Sequence, residues 1–267
     1  MWEVVYPHSR AVDLDTEDDE FTDQKNRSSR PIVRLSRRFQ NDSSLSCALL
    51  VMAFDRIPTT FIEANFINKD SDIIGVVSSG VCKDEIIWNS LKQTSNLDKT
   101  CFIYSATNNR EILLCQCKVK VSEEISHDWV KEVFACIKPK KVIILTTLPA
   151  SSCSLDCDDD QDQLFVLKTD HWNCELSLPY LPSPNFVSKL PAAVLSYCQI
   201  FRIPAALYVG VFATDSLTHS FTAIDIFDSL IQNGSLKDLP TLSKCEKEDF
   251  LNSLVITSPH LQSNMYT

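Results

Sequence analysis

The segment Cys47-Ala-Leu-Leu-Val-Met-Ala-Phe54 is an uninterrupted apolar run of strand length, closed by Asp55 and Pro58. A strand with one wet face alternates apolar and polar side chains, whereas a run without alternation must be covered on both faces. The segment therefore predicts a central strand of a sheet with helices on either side. Residues 72–77 form a second such run. Cys101-Phe-Ile-Tyr104 and Ile112-Leu-Leu-Cys-Gln-Cys117 flank Asn108-Asn109-Arg110 and read as a hairpin with its turn. Further strands are predicted over 142–145, 164–167 and 205–212, the last opened by Pro204.

Helical patterns lie between these runs. Ser122 stands at a cap position before Ile125, Trp129, Val130, Val133, Phe134 and Ile137, which recur at helical spacing. Pro191 suits the first turn of a helix through Ala192, Val194, Leu195, Tyr197 and Cys198. A shorter helix over 221–231 stops at Asn233-Gly234. The expected fold is α/β: a layered domain over residues 45–250 with a mixed, mainly buried β-sheet flanked by helices. Residues 1–44 are expected to be a flexible N-terminal extension, and residues 251–267 a C-terminal segment ending in a tail.

Composition narrows the function. With 44% hydrophobic residues, the 267-residue chain can build a core without disulfide or metal staples. The balance of 25 Lys+Arg against 35 Asp+Glu gives −10, which argues against broad nucleic-acid or anionic-membrane binding. The longest apolar run, 205–213, has nine residues, and a membrane span needs about 20. The opening Met1-Trp-Glu-Val-Val-Tyr6 turns acidic, unlike a secretory signal. The cysteine count of 11 is odd, and Cys47, Cys101, Cys115, Cys136 and Cys198 sit in apolar runs as small hydrophobes. A soluble, reduced protein of the cytoplasm is expected. Residues 1–24 carry eight carboxylates and one basic residue, then 25–38 carry Lys25, Arg27, Arg30, Arg34, Arg37, Arg38 and no acid. This reads as a solvated extension whose halves neutralise each other, with a partner-binding arm as the alternative.

Sites for chemistry are sparse. Four glycines leave little room for phosphate-cradling loops, and Gly75-Val-Val-Ser-Ser-Gly80 is followed by Val81-Cys82 where a P-loop needs lysine and a hydroxyl. Cys153, Cys157, His171 and Cys174 have zinc-ligand chemistry, but the first two fall in an exposed acidic loop, 151–162, and the others in a separate loop. Asp156, Asp158, Asp159, Asp160 and Asp162 lack the central glycine and twelfth-position glutamate of a calcium loop. Cys115 and Cys117 read as packing on one strand face. His8, His127, His171, His219 and His260 are scattered. No cofactor, metal or catalytic residue is expected, which favours a binding protein. The competing reading is an α/β enzyme acting on a small molecule such as a nucleoside at the strand ends, which requires a pocket of convergent, pKa-shifted groups.

The end of the chain carries the sharpest local pattern. After Phe250, Leu251, Leu254 and Val255, a docking helix or strand, come Pro259 and Gln262-Ser-Asn-Met-Tyr-Thr267. Met265, Tyr266 and the Thr267 carboxylate form a three-part ligand: an apolar side chain for a slot, a phenol with a flat face and a hydroxyl, and an anion for a lysine or a backbone nest.

The block Lys189-Leu-Pro-Ala-Ala-Val-Leu-Ser-Tyr-Cys-Gln199, followed by Ile203-Pro-Ala205 and Leu207-Tyr208, resembles the proteasome assembly chaperone 1 family. So do Leu113-Leu-Cys-Gln-Cys117, Trp129-Val-Lys-Glu-Val-Phe134, Ser235-Leu-Lys237 and the ending Gln262-Ser-Asn-Met-Tyr-Thr267. The islands keep the family's order across about 100–267, with weaker similarity back to about 45. The acidic loop has no counterpart. The resemblance implies a non-enzymatic chaperone that heterodimerises with a second, related assembly chaperone and binds alpha subunits of the 20S proteasome. It implies promotion of alpha-ring formation and restraint of off-pathway ring dimerisation. The family's hydrophobic-Tyr-X tail (the HbYX motif) enters a pocket between alpha subunits, and here it corresponds to Met265, Tyr266 and Thr267. By its apolar spacing the 190–199 block is expected to be core helix rather than contact surface.

Overall fold

A computed structural model describes residues 30–39, 44–68, 71–78, 101–106, 111–154, 162–174, 177–212, 221–232 and 234–257. Its centre is one eight-stranded sheet: β1 (Val33–Leu35), β2 (Leu45–Phe54), β3 (Ile73–Val77), β4 (Cys101–Ser105), β5 (Ile112–Cys117), β6 (Ile137–Pro149), β7 (Gln163–Lys168) and β8 (Ala205–Phe212). The strand order is β1-β3-β4-β5-β2-β6-β8-β7. The middle four, β5, β2, β6 and β8, run parallel, and both flanks are antiparallel. The sheet is mixed, as expected, and the continuous apolar runs of β2 and β8 lie in its parallel centre.

Two apolar layers cover it. On one face Leu50, Met52, Ile144 and Val209 pack against α2 (Glu123–Cys136) and α3 (Lys189–Ile200). On the other, Val51, Ala53, Ile143 and Tyr208 pack against α1 (Arg56–Phe66), a 3₁₀ stretch over Phe221–Phe227 and α4 (Asp228–Gln232). The last described element is α5 (Lys244–Thr257), which lies beside α1 on this second face. Successive β2 residues thus point into opposite cores, which explains why its sequence shows no alternation. Gly75 is needed where β1 crosses β3, because a Cβ there would lie 3.0 Å from both the Arg34 carbonyl oxygen and Leu35 Cδ2.

Four expectations need correction. The sheet begins at Val33, inside the stretch read as an extension, and Pro31 and Phe39 are buried beside it. A three-residue edge strand among arginines has too little apolar pattern to register. α2 ends at Cys136, and Ile137 starts β6 without a loop, because Pro139 cannot continue a helix and disfavours helix before it. Ser122 holds the N-cap position, but its hydroxyl makes no cap bond; its carbonyl accepts from Ser126 Oγ at 2.7 Å. The 221–231 helix is mostly 3₁₀, consistent with the poor helix formers Thr222, Ile224, Asp225 and Ile226. α5 also runs across the 250/251 boundary. The turn at 108–110 lies outside the described residues.

Candidate functional site

The tail Met265, Tyr266 and Thr267 lies outside the described residues, so its site is approached through the element that carries it. Ser243 and Glu246 form a capping box at the start of α5: the Ser243 hydroxyl and N–H donate to Glu246 Oε2 at 2.7 and 3.0 Å, and the Glu246 N–H returns to Ser243 Oγ at 3.4 Å. These bonds hold the Glu246 carboxyl below its usual range. Lys247 Nζ donates to both oxygens of Asp228, each at 3.2 Å, and the Leu242 N–H donates to the Asn65 carbonyl at 2.8 Å. Leu251 packs partly buried against the second core. Residues 250 and 251 therefore belong to a docked helix, the first of the two alternatives. The ten residues after Thr257 can span at most about 35 Å when extended.

The strand ends, where an enzyme of this fold holds its ligand, carry a closed set of bonds. At the C-terminal ends of β2 and β6, Asp55 Oδ2 accepts the Thr146 hydroxyl at 2.9 Å and the Asp55 carbonyl accepts the Thr59 hydroxyl at 2.7 Å. Buried Gln116 donates to the Thr59 carbonyl at 3.0 Å and to Glu63 Oε2 at 2.8 Å, and Glu63 also holds Lys118 Nζ at 2.8 Å. These polar groups satisfy one another and tie α1 to the sheet.

The thiols are shifted away from reactivity. Burial pushes Cys47 and Cys198 up to about 12 and raises Cys115 well above its ordinary value, so all three are neutral packing groups. Cys101 and Cys117 face each other across β4 and β5 with their sulfurs 2.7 Å apart in the same core. Among the carboxylates, burial and the neighbouring Asp228 raise Asp225, against Lys247. Asp225 precedes α4 on the second face, while Cys47, Cys115 and Cys198 lie in the first core. These shifted groups do not meet in one pocket.

The zinc set is pulled apart by topology. Cys153 follows the C-terminal end of β6 and packs toward the first core. Cys174 lies by the N-terminal part of β6, with Lys141 Nζ 3.8 Å from its sulfur. Eight extended residues, 141 to 149, separate the two, about 26 Å. Cys157 and Asp156, Asp158, Asp159 and Asp160 lie outside the described residues, as does Gly80. Among the described residues no three metal-ligating side chains come together. No described helix is long and apolar enough to cross a membrane.

What the surface offers instead is exposed apolar side chains at the two ends of α3. Tyr180 and Phe186 precede it, and Ile200 and Phe201, 72% and 59% exposed, end it. The helix is core between them, with Leu190, Pro191, Ala193, Val194 and Cys198 buried, as its apolar spacing predicts.

Comparison with known proteins agrees with this picture of a body without a reaction centre. The family model PAC1, described as proteasome assembly chaperone 4, matches residues 1–267. Proteasome assembly chaperone 1 of Mus musculus is 32% identical over 259 residues, covering 88% of this chain and 84% of its own. The chain belongs to the proteasome assembly chaperone 1 family. The Nematostella vectensis relative of the same name is 29% identical over 237 residues, covering 85% of this chain and 91% of its own. Among solved structures, Pyrococcus furiosus PbaB, described as an archaeal proteasome activator, shares the fold with a TM-score of 0.53 at 7% identity, covering 85% of this chain and 97% of that one. Family relatives are thus named as assembly chaperones.

Proposed function

We propose that this protein is a non-enzymatic chaperone of 20S proteasome assembly, working in the cytoplasm. It pairs with a second, related assembly chaperone, binds alpha subunits, promotes alpha-ring formation and restrains off-pathway ring dimerisation. Its C-terminal Met265, Tyr266 and Thr267 dock between alpha subunits, Met265 in an apolar slot and the Thr267 carboxylate against a pocket lysine. The observation that carries the reading is full-length membership of the chaperone family together with a chain that ends in a hydrophobic-Tyr-X triplet.

The physical chemistry of such a tail suits an assembly factor. Three residues bury little surface and must give up their own freedom, so the tail binds weakly alone. Joined to a folded body and a second chaperone, it acts at an effective concentration of about millimolar. Binding of this kind selects a ring edge with pockets at the right spacing and stays reversible. The net charge of −10 suits encounter with lysine-bearing pockets.

Two variants test the docking. Tyr266→Ala should weaken binding to alpha subunits while leaving the chaperone pair intact. Adding residues after Thr267 should do the same, because the terminal carboxylate moves away from its lysine. Undiminished alpha-subunit binding by the extended protein would remove the carboxylate from the mechanism.

A further inference from the structure

The C-terminal corner of α3 combines features that the tail mechanism does not use. Ile200 and Phe201 stand in solvent, and the Phe201 ring lies 4.2 Å from Tyr197, which lies 4.7 Å from Phe134. The Phe134 carbonyl in turn accepts Lys138 Nζ at 2.7 Å. The apolar stripe thus runs directly into a cationic group. Lys138, Lys140 and Lys141 begin β6, Lys168 ends β7, and Arg202 precedes β8. The register brings them to one end of the sheet, with Val142 opposite Ala205 and Lys168 opposite Ala206. All five cations are exposed, and none forms an ion pair with a described residue. Asp170 at this corner is held by Gln199 Nε2 at 2.6 Å. A chain with a net charge of −10 has gathered five uncompensated cations around two exposed apolar side chains.

A second observation concerns Arg202 itself. The helix ends in a Schellman motif: the Ile203 N–H donates to the Cys198 carbonyl at 2.8 Å and the Arg202 N–H to the Gln199 carbonyl at 3.3 Å. Arg202 occupies the left-handed position at φ 58°, where glycine is the ordinary residue because it has no Cβ to strain. Arginine at this position is a conformational cost to the fold, so its guanidinium must be explained by something outside the fold.

We propose that Ile200, Phe201 and Arg202, ringed by Lys138, Lys140, Lys141 and Lys168, are a docking surface for a protein whose contacting patch sets carboxylates around an apolar side chain. An aromatic and an arginine beside an apolar anchor have the composition of an interface hot spot, and the surrounding lysines select an acidic counterpart. The corner belongs to the α2/α3 side of the sheet, whereas α5 and the tail it carries belong to the other. We therefore assign the corner to the second assembly chaperone rather than to the alpha subunits. That assignment rests on the pairing proposed above.

Titration calorimetry of the full-length protein with the purified second chaperone tests it. Arg202→Gly should melt at the same or a higher temperature than the native chain, since glycine relieves the left-handed residue. Its Kd for the partner should nevertheless rise about ten-fold, and about a hundred-fold in the double variant Phe201→Ser/Arg202→Gly. Binding of the native chain should also weaken with salt more steeply than that of Arg202→Gly. Native affinity in the double variant, with the native chain pairing normally, would overturn the corner assignment and leave the pairing in place. No pairing by the native chain would overturn the pairing and this inference with it. A double variant that pairs normally but loses alpha subunits would give the corner to them instead. Tighter pairing after deletion of residues 1–24 that vanishes in the double variant would support the corner and show that the chain's own acidic segment competes for it.

Discussion

α3 and α5 are helices of similar length, 12 and 14 residues, held in place by different means. α3 sinks Leu190, Pro191, Ala193, Val194 and Cys198 into the core between α2 and the sheet. Among the described side chains of α5 none is fully buried, and its attachment consists of a capping box, the Lys247–Asp228 pair, one backbone bond to Asn65 and the partly covered Leu251. Apolar burial fixes the first helix as part of the body. The second is fastened by separate contacts, each worth about 1 kcal/mol. The tail thus hangs from the element whose loss least disturbs the rest, which is what a docking segment on a stable platform requires.

The largest effect expected from this contrast is on α3. Leu190→Ala should cost about 3–4 kcal/mol of unfolding free energy in denaturant titration, because the vacated volume lies against helix and sheet that cannot collapse around it. A cost as small as that of an α5 substitution would erase the distinction between the helices.

Next in size is a pH effect. Cys47 on β2 and Cys198 on α3 have folded values raised from 9.0 to about 12 by burial. The folded state therefore holds these protons more tightly. Their contribution is complete below pH 9 and is lost as pH rises from 9 toward 12. By pH 10 the two thiols together should remove about 3 kcal/mol of stability. Unfolding measured from pH 8 to pH 10 should fall more steeply in the native chain than in Cys47→Ala/Cys198→Ala. Parallel slopes would mean that the thiols are not held in the core as described.

The α5 contacts should give the smallest effects. Lys247→Ala should cost about 1 kcal/mol, read as faster hydrogen exchange across 244–253 rather than as a shift of the main unfolding transition. Ser243→Ala should loosen the same helix by about 0.5–1 kcal/mol. If either variant lowered protection in β2 or α3 as well, α5 would be part of the cooperative body and not an appendage.

The contrast also shows what sequence can reveal. β2, β5 and β8 were legible because burial on both faces writes an unbroken apolar run, and α3 because Pro191 and the spacing of Val194 and Cys198 mark a helix. β1 was illegible because three edge residues among arginines need no apolar pattern once β3 supplies the hydrogen bonds. The Cys153, Cys157, His171 and Cys174 set looked local in sequence, yet the strand direction of β6 sends Cys153 and Cys174 to opposite ends. The α3 corner was hidden for another reason. Gln199-Ile-Phe-Arg202 contains no glycine, so nothing in it announces a left-handed cap, and its lysines are contributed by β6 and β7, distant in sequence. The tail triplet, by contrast, was legible as a local pattern.

The central claim is that tail and body do separate work, the tail gripping alpha subunits and the body pairing with the second chaperone. Pull-down from one cell extract, using the full chain beside a version lacking residues 265–267, tests it most directly. The full chain should recover alpha subunits and the similar-sized partner, and the truncated chain the partner alone. Equal recovery of alpha subunits by both, or loss of the partner on truncation, would contradict the account.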